Sequence, residues 1–170
     1  MGMAVVAAAP IATVTKPTAF EAFYRRERAS LYRALALTLG DADLAADAVD
    51  EAMARAYPRW GTLSRFDNAA GWVYRVALNW AVSSLRRRRR RLPAALDEAA
   101  GEPQLPDPEL AGAVRSLPVS QRSVVVLRFH LDWSLEQISV ALGVPVGTVK
   151  SRLHRALLSL RQTLGVDHDA

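Results

Sequence analysis

Residues 133–164, WSLEQISVALGVPVGTVKSRLHRALLSLRQTL, decide the fold of the C-terminal part of this chain, because they carry the start and stop signals of two successive helices. Ser134 and Gln137 have the spacing of a capping box, which predicts a helix directly after the serine. Gly143 supplies the left-handed residue at which that helix ends, and Pro145 prevents its continuation. The stretch therefore predicts two helices joined by a tight turn.

The second of these helices has one apolar stripe and one polar face. The stripe has the spacings of three and four residues that indicate a buried helix face, at Val149, Leu153, Leu157, Leu160 and Leu164. The side chains that point largely away from it are Thr148, Lys150, Ser151, His154 and Arg155. Short polar and cationic side chains near the start of a second helix suit contact with the DNA major groove. From this segment alone, a surface hairpin whose basic face is only solvated is the alternative.

Composition and charge narrow the functional class. The 170 residues are 51% hydrophobic and carry a net charge of +5, which suits an anionic partner. The chain has no cysteine, which excludes disulfides, thiolate zinc sites and cysteine nucleophiles and fits a reducing compartment. No apolar run approaches the ~20 residues that span a bilayer, and the apolar start lacks the cationic leader of a signal peptide. We expect a cytoplasmic chain with no membrane insertion and with loose tails at 1–17 and 165–170.

The first part of the chain also predicts helices. Thr18 opens a second capping box, with a glutamate three residues later, and Gly40 ends the helix that follows. Asp41 or Asp43 caps the next helix, about 44–57, which a proline closes.

A short loop, residues 59–68, comes next and contains two aromatic side chains. Asp67 or Asn68 caps a long helix after this loop, and that helix runs into six consecutive arginines, residues 86–91.

The composition then changes over residues 92–108, which hold four prolines and several acidic side chains. Such a segment buries little apolar surface and predicts a flexible, acidic linker. Asp107, with proline at the first helical position, restarts helix formation. The predicted fold is all-α, with two small helical domains at 18–91 and 109–164 joined by this linker.

Several of these elements together resemble a bacterial RNA polymerase sigma factor of the extracytoplasmic-function group. The matching elements stand in the family's order: DLAADAVDEAMARAY, GWVYRVALNWAVSSLRRRRR, the acidic linker, SLPVSQRSVVVLRF and SLEQISVALGVPVGTVKSRLHRA. The resemblance covers about residues 20–164, and GVPVGTVKSRLHRA is especially close to the family pattern. It implies a sigma region 2 domain followed by a sigma region 4 helix-turn-helix domain.

The resemblance implies a docking surface for the clamp helices of the polymerase's largest subunit. It falls on the second predicted helix, at Asp47, Asp50, Glu51, Met53, Ala54 and Tyr57. Charged residues around an apolar centre suit an interface with a basic coiled coil, although an ordinary solvated acidic face is the alternative.

The resemblance further implies recognition and opening of the promoter's minus-ten element, with capture of a flipped base. The matching positions are Trp60, Phe66, Asp67, Asn68, Trp72, Tyr74, Arg75 and Asn79. We expect Tyr74, Arg75 and Asn79 to be exposed, because they lie off the packing side of the long helix. Trp72 and Trp80 fit the buried stripe and are expected to lie mainly in the core.

The remaining implied contacts are also to promoter DNA. From the arginine run, Arg86, Arg87 and Arg90 are expected to meet phosphates. The minus-thirty-five element is assigned to Thr148, Lys150, Ser151, Arg152, His154 and Arg155. Arg152 lies at the edge of the buried stripe, so a phosphate or an intramolecular partner suits it better than a base.

The resemblance thus implies a sigma factor that binds the polymerase core, through the clamp and the flap of the second-largest subunit, and then promoter DNA. An anti-sigma protein is a further expected partner. A stand-alone helix-turn-helix regulator is the alternative, but it has no need of an acidic docking helix beside a melting surface. We expect no enzyme activity and no cofactor, since the chain has no Gly-rich phosphate loop. The three histidines lack metal-ligand spacing, so no metal site is expected.

Overall fold

The computed structural model describes residues 18–91 and 105–165, and all regular elements within these ranges are helical. The N-terminal block, residues 18–91, contains α1 (Ala19–Leu39), α2 (Ala42–Ala56), a 3₁₀ turn (Tyr57–Arg59), α3 (Trp60–Leu63) and α4 (Ala69–Arg91). The C-terminal block, residues 105–165, contains α5 (Pro108–Ser116), α6 (Val119–Phe129), α7 (Leu135–Leu142) and α8 (Val146–Thr163). The all-α prediction is confirmed. The predicted tail at 1–17, residues 166–170 of the predicted tail at 165–170, and residues 92–104 of the predicted linker lie outside the described residues.

The helix boundaries follow from the local signals in the sequence. The hydroxyl of Thr18 accepts the N–H of Glu21 at 3.3 Å, and the Glu21 carboxylate accepts the N–H of Thr18 at 2.9 Å. Gly40 ends α1 in the left-handed region with φ 69°. Asp41 caps α2 by accepting the N–H of Leu44 at 2.8 Å. The first capping box and the helix end at Gly40 are therefore confirmed. Of the two predicted caps of α2, Asp41 and Asp43, the structure shows Asp41.

The segment predicted as a loop between α2 and α4 is partly helical. Pro58 lies at the start of the 3₁₀ turn. The N–H groups of a helix's first turn have no intrahelical partner, so the missing N–H of proline costs no hydrogen bond there. Helix α3 follows directly. Leu63 is buried, and Trp60 packs on α1, so tertiary contacts hold this segment in helical turns. Only residues 64–68 lie between α3 and α4.

Small side chains let α1, α2 and α4 pack closely. The fully buried apolar side chains of these helices are Ala34, Leu35, Ala45, Ala48, Val49, Ala52, Ala56, Tyr74, Ala77 and Ala81. Alanine at so many buried positions brings the helix axes near one another, which increases dispersion contact. The C-terminal block has a smaller cluster of its own, formed by Ala113, Val114, Leu117, Val125, Ala156 and Leu160.

The two blocks share a hydrophobic core. Val124, Leu127, Ile138 and Val149 of the C-terminal block belong to the same buried cluster as the side chains of α1, α2 and α4. Helix α7 packs against α4, and α6 packs against α1. The described structure is therefore closed, with the helix-turn-helix lying against the long helix α4.

Candidate nucleic-acid interface

The helix-turn-helix is built by the signals at its two turns. The hydroxyl of Ser134 accepts the N–H of Gln137 at 3.1 Å, and the Gln137 side chain accepts the N–H of Ser134 at 2.8 Å. Gly143 ends α7 with φ 65°. Burial of Ile138 and Val149 then fixes α8 across α7. The predicted capping box, turn and second helix are confirmed.

The six predicted minus-thirty-five residues lie on the first half of α8, outside its buried positions Val149 and Ala156. Lys150, His154 and Arg155 are exposed, and Thr148, Ser151 and Arg152 are half-buried. The hydroxyl of Ser151 donates to the Thr148 carbonyl at 3.0 Å, so it is anchored to its own helix in this state. The structure thus brings all six predicted minus-thirty-five residues together.

The first turn of α7 carries a carboxylate close to this basic face. The pKa of Glu136 is lowered by its own backbone N–H, then by the Ser134 hydroxyl, with a smaller contribution from the charge of Lys150. A carboxylate at a helix N-terminus is stabilised by the helix dipole. The ammonium of Lys150 therefore has a carboxylate on α7 as an electrostatic neighbour.

The acidic face of α2 is present, but not all of its predicted residues reach the surface. Asp47 and Ala54 are exposed, and Tyr57 is 66% exposed. Met53 is only 2% exposed. The buried stripe of α2 (Val49, Ala52, Met53, Ala56) turns this side chain into the core, so the structure does not place it on the docking face, and its assignment to the polymerase contact stays a prediction.

Two of the acids on this face already have partners. Nε and Nη2 of Arg28 on α1 donate to the two carboxylate oxygens of Asp50 at 2.9 and 3.0 Å. This pairing is the main reason that the pKa of Arg28 is raised. Glu51 accepts from Arg55 one turn later, at 2.7 Å. Asp47 is therefore the acid of this face best placed to meet an external cation.

An aromatic cluster surrounds Trp60, which was predicted to belong to a base-capturing loop. Its ring lies 5.4 Å from Phe20 and 4.6 Å from Phe23, between ring centroids, so it packs on α1 and is half-buried. The indole Nε1 is buried and has no hydrogen-bond acceptor among the described residues. Tyr57 covers the outer side of the cluster, 5.2 Å from Phe20.

The turn before α4 holds the next three predicted residues. Phe66 is 48% exposed and Asp67 is exposed. Asn68 is the residue that caps α4, because its Oδ1 accepts the N–H of Gly71 at 2.8 Å. The Asn68 amide nitrogen is buried with no partner among the described residues.

Helix α4 distributes its predicted residues over different environments. Trp72 and Trp80 are half-buried against the core, as expected of their spacing. Asn79 is exposed and lines a cleft of about 560 Å³ between the blocks, together with Arg86, Arg89 and Arg152.

The expected exposure of Tyr74 and Arg75 is wrong. Tyr74 is fully buried, with its hydroxyl 2.8 Å from the hydroxyl of Thr38 and its ring edge-on to Trp133. Burial raises the pKa of the Tyr74 phenol far above its usual value. Arg75 is half-buried, and its guanidinium lies against Gly143 in the turn of the helix-turn-helix. The physical reason is the closed arrangement, in which α7 covers this side of α4.

The end of α4 presents the arginine run to solvent. Arg86, Arg87 and Arg90 are all exposed. Arg87 donates to the hydroxyl of Ser84 at 3.0 Å. The three predicted phosphate-contacting guanidinium groups thus remain accessible in the closed state.

Arg122 was not among the predicted site residues, although it holds the blocks together. From α6 it donates to the carbonyl of Thr38 at 2.9 Å, to that of Leu117 at 2.8 Å and to that of Arg115. Burial lowers the pKa of Arg122. In the sequence, Arg122 stands four residues before Val126, on the apolar side of α6. A cation among apolar positions is the feature that could have identified it.

Within residues 18–91 and 105–165, no group of histidine and acidic side chains is arranged to hold a metal ion. A search of the same ranges finds no helix that is long and apolar enough to span a bilayer.

Comparison with known proteins matches both blocks to one family. The description "Sigma-70 region 2" matches residues 23–91, and "Sigma-70, region 4" matches residues 108–160. The RNA polymerase sigma-E factor of Streptomyces coelicolor is 35% identical over 151 residues, covering 85% of each chain. The ECF RNA polymerase sigma factor SigL of Mycobacterium tuberculosis is 33% identical over 165 residues, covering 90% of this chain and 93% of that one.

Solved structures share the fold. The sigma factor RpoE of Bartonella quintana, in complex with the anti-sigma factor NepR, superposes with a TM-score of 0.73 at 23% identity. That match covers 88% of this chain and 98% of the other. CnrH, in complex with the cytosolic domain of CnrY, gives a TM-score of 0.59 at 23% identity, covering 88% of this chain and 89% of that one. The chain belongs to the sigma-70 family, as an RNA polymerase sigma factor of the extracytoplasmic-function group that directs promoter-specific initiation of transcription.

Proposed function

We propose that this sigma factor divides promoter recognition between its two blocks and performs no chemistry of its own. The observation that carries the proposal is the presence, on one chain, of a basic helix-turn-helix face and a long helix with a polar edge beside an acidic helix. An operator-binding regulator needs the first of these features but not the other two.

The acidic face of α2 is proposed to dock on the clamp of the polymerase's largest subunit. Asp47, Ala54 and Tyr57 are exposed there and form a charged surface with an apolar centre. Electrostatic complementarity with a basic coiled coil would raise the association rate more than the final affinity. The ion pairs of Asp50 and Glu51 must exchange their partners for this contact, so Asp47 should contribute more. The C-terminal block would meet the flap of the second-largest subunit.

The outward side of α8 is proposed to read the minus-thirty-five element in the major groove. Lys150 and Arg155 are exposed cations on the first half of α8, which suits contacts with guanine edges. The short side chains of Thr148 and Ser151 let the helix approach the bases. A bidentate contact to a base discriminates by about 1–3 kcal/mol. Arg152 and His154 would support this contact from its margins.

The turn before α4 and the exposed edge of that helix are proposed to hold the opened minus-ten strand. Extracting a base from the stack costs a few kcal/mol, which aromatic stacking and polar capture must offset. Phe66 offers an exposed ring, and Asn79 an exposed amide that can both donate and accept. Arg86, Arg87 and Arg90 would meet phosphates at the upstream duplex edge, and each neutralised phosphate steepens the salt dependence of binding.

Run-off transcription with purified core polymerase tests the function. We expect promoter-specific transcripts only when this chain is added. Tight operator binding without any such transcript would instead indicate a stand-alone regulator.

Two substitutions then separate the assigned roles. Lys150→Ala should weaken minus-thirty-five recognition by roughly 1–3 kcal/mol without reducing polymerase binding. Arg161→Ala, which removes an exposed cation near the far end of α8, should change little and serves as the matched control.

Asn79→Ala should leave duplex binding intact and reduce strand opening, measured by permanganate reactivity of unpaired thymines. Ser83→Ala, one turn further along the exposed edge of α4, is the control. Unchanged opening in Asn79→Ala would reject the assignment of Asn79 to the flipped base.

An anti-sigma protein is proposed as a regulatory partner, since the solved RpoE structure named above is in complex with one. We also propose that the chain acts in the cytoplasm, where it would meet the polymerase.

A further inference from the structure

The cleft between the two blocks collects guanidinium groups from both of them. It has a volume of about 560 Å³ and is bordered by α4, the first turns of α6, the end of α7 and the first half of α8. Arg86 and Arg89 line it from α4, and Arg152 lines it from α8. Positions so far apart in the sequence meet there only because the chain folds in this way.

The charges of these three arginines are not balanced locally. Within residues 18–91 and 105–165, none of the three has a hydrogen-bond or ion-pair partner, and no acidic side chain lines the cleft. Arg152 is half-buried, and a partly desolvated charge without a partner is unfavourable. Like charges that line one cavity also repel one another. An anion bound in the cleft would remove both costs.

The rest of the lining combines apolar and neutral polar side chains. Leu78, Val82 and Leu142 supply apolar surface, and Asn79 and Ser120 supply groups that can donate and accept hydrogen bonds. Sites for small organic ligands occupy ~300–1,000 Å³ and show the same mixture of apolar walls with a few polar groups. The cleft is therefore large enough for an organic anion and is not limited to a single phosphate ion.

A nucleoside polyphosphate fits this lining in size and in chemistry. Guanidinium groups bind phosphate oxygens through paired N–H donors, so three of them suit a chain of phosphates. The apolar side chains suit the face of a base, and the amide of Asn79 suits its edge. A simple inorganic anion would leave the apolar part of the lining uncovered.

We propose that the cleft between α4, α6 and α8 binds a nucleoside polyphosphate, with its phosphate chain on Arg86, Arg89 and Arg152 and its nucleoside against the apolar lining. The ligand is a free small molecule and not a nucleic acid. The proposal goes beyond promoter recognition and does not depend on it. Its tests contain neither polymerase nor DNA, so their failure is distinguishable from failure of the proposed function.

Isothermal titration calorimetry of the full chain tests the site, in about 0.15 M salt that screens diffuse charge. ATP and GTP without divalent cation are the probes, and inorganic tripolyphosphate is the comparison. We expect one nucleotide per chain, bound at least about fivefold more tightly than tripolyphosphate, because only the nucleotide covers the apolar lining. The absence of saturable binding of either nucleotide up to about 1 mM, or equally tight binding of tripolyphosphate, would overturn the proposal.

Magnesium gives a second readout of how the phosphates are held. Among the described residues no carboxylate lines the cleft, so the protein offers Mg²⁺ no ligand there. The cation would only neutralise the phosphates, and we expect it to weaken nucleotide binding by about threefold or more. Tighter binding in the presence of Mg²⁺ would contradict capture by arginine.

The arginine run provides a control variant with the same change in charge. Arg89→Gln should lower the affinity for nucleotide about tenfold, because a hydrogen bond between charged groups is lost. Arg88→Gln removes the same charge from an exposed neighbour that does not line the cleft, so it should change the affinity less than about twofold. Equal losses in the two variants would show diffuse attraction to the run and would overturn the site.

Ser120→Glu tests the cleft from the side of the C-terminal block. Ser120 is exposed in the first turn of α6, where a carboxylate favours the helix, so this variant should fold. It should lower the affinity for nucleotide at least about tenfold, because it places a negative charge beside the phosphates. Gln162→Glu, exposed near the end of α8, changes the net charge equally and should bind as the unmodified protein does. Unchanged affinity in Ser120→Glu would overturn the proposal.

Discussion

Replacing Arg122 by methionine tests how strongly one side chain joins the two blocks. Methionine keeps much of the apolar stem and removes the guanidinium. The carbonyls of Thr38, Leu117 and Arg115 then lose their donor, and the first two bonds are partly buried. A hydrogen bond from a charged donor contributes about 1.5–3 kcal/mol.

The expected loss is smaller than the sum of these bonds, since the guanidinium is itself costly to bury. Burial lowers the pKa of Arg122, and its Nε has no acceptor among the described residues. The carbonyl of the exposed Arg115 can also be solvated by water. We therefore expect Arg122→Met to lower the free energy of unfolding by about 2–4 kcal/mol. For a chain of this size, that corresponds to a fall of roughly 5–15 °C in Tm.

Urea and thermal unfolding, followed by circular dichroism, measure this effect. Arg122→Lys keeps the charge but reaches fewer carbonyls, so its free energy of unfolding should lie between those of the unmodified protein and Arg122→Met. Arg128→Met is the control, because its partners are the Trp133 carbonyl at 3.1 Å and an exposed Asp132. A loss below about 0.5 kcal/mol for Arg122→Met, or full recovery with lysine, would refute the bridging role.

Three further predictions concern the closed fold. Because the pKa of Tyr74 is raised in the folded state, the free energy of unfolding should fall above pH ~10 by up to about 1.4 kcal/mol per pH unit. Tyr74→Phe should remove this slope in alkaline unfolding titrations. Tyr57→Phe, at an exposed tyrosine, should retain it. Ser134→Ala should cost about 1 kcal/mol in urea unfolding through loss of the α7 cap, and an unchanged midpoint would contradict the capping box. Gly143→Ala should destabilise more than Gly40→Ala, although both have positive φ, because the new Cβ would lie 2.5 Å from Nη1 of Arg75 at Gly143 and 3.7 Å from Nη1 of Arg122 at Gly40. Equal losses in urea unfolding would show that this crowding contributes nothing.

Sequence alone predicted the features that depend on neighbouring residues. Ser134 with Gln137 and Thr18 with its glutamate fixed helix starts, because a capping box is complete within four residues. Gly40 and Gly143 fixed helix ends, because each adopts the left-handed conformation that other residues disfavour. The exposed cations of α8 were likewise predicted from the periodicity of a single helix.

The failures all depend on elements that are distant in sequence. Tyr74 was predicted to lie off the packing side of α4, yet α1 and the segment before α7 enclose it. Trp60 packs on α1 because aromatic partners are available there. A helical wheel reports which face is apolar, but not which polar side chain a second helix will cover.

Under the proposed function, the covered side of α4 would have to fit two sets of neighbours in turn, the packed helix α7 and the opened DNA strand. A substitution there that improves one fit disturbs the other, so few replacements at Gly71 or Tyr74 should be tolerated. The outward side of α8 does not have to fit a second helix, since Lys150, His154 and Arg155 are exposed when the two blocks are packed together. Divergence toward new promoters should therefore proceed more readily through the upstream hexamer than through the downstream one.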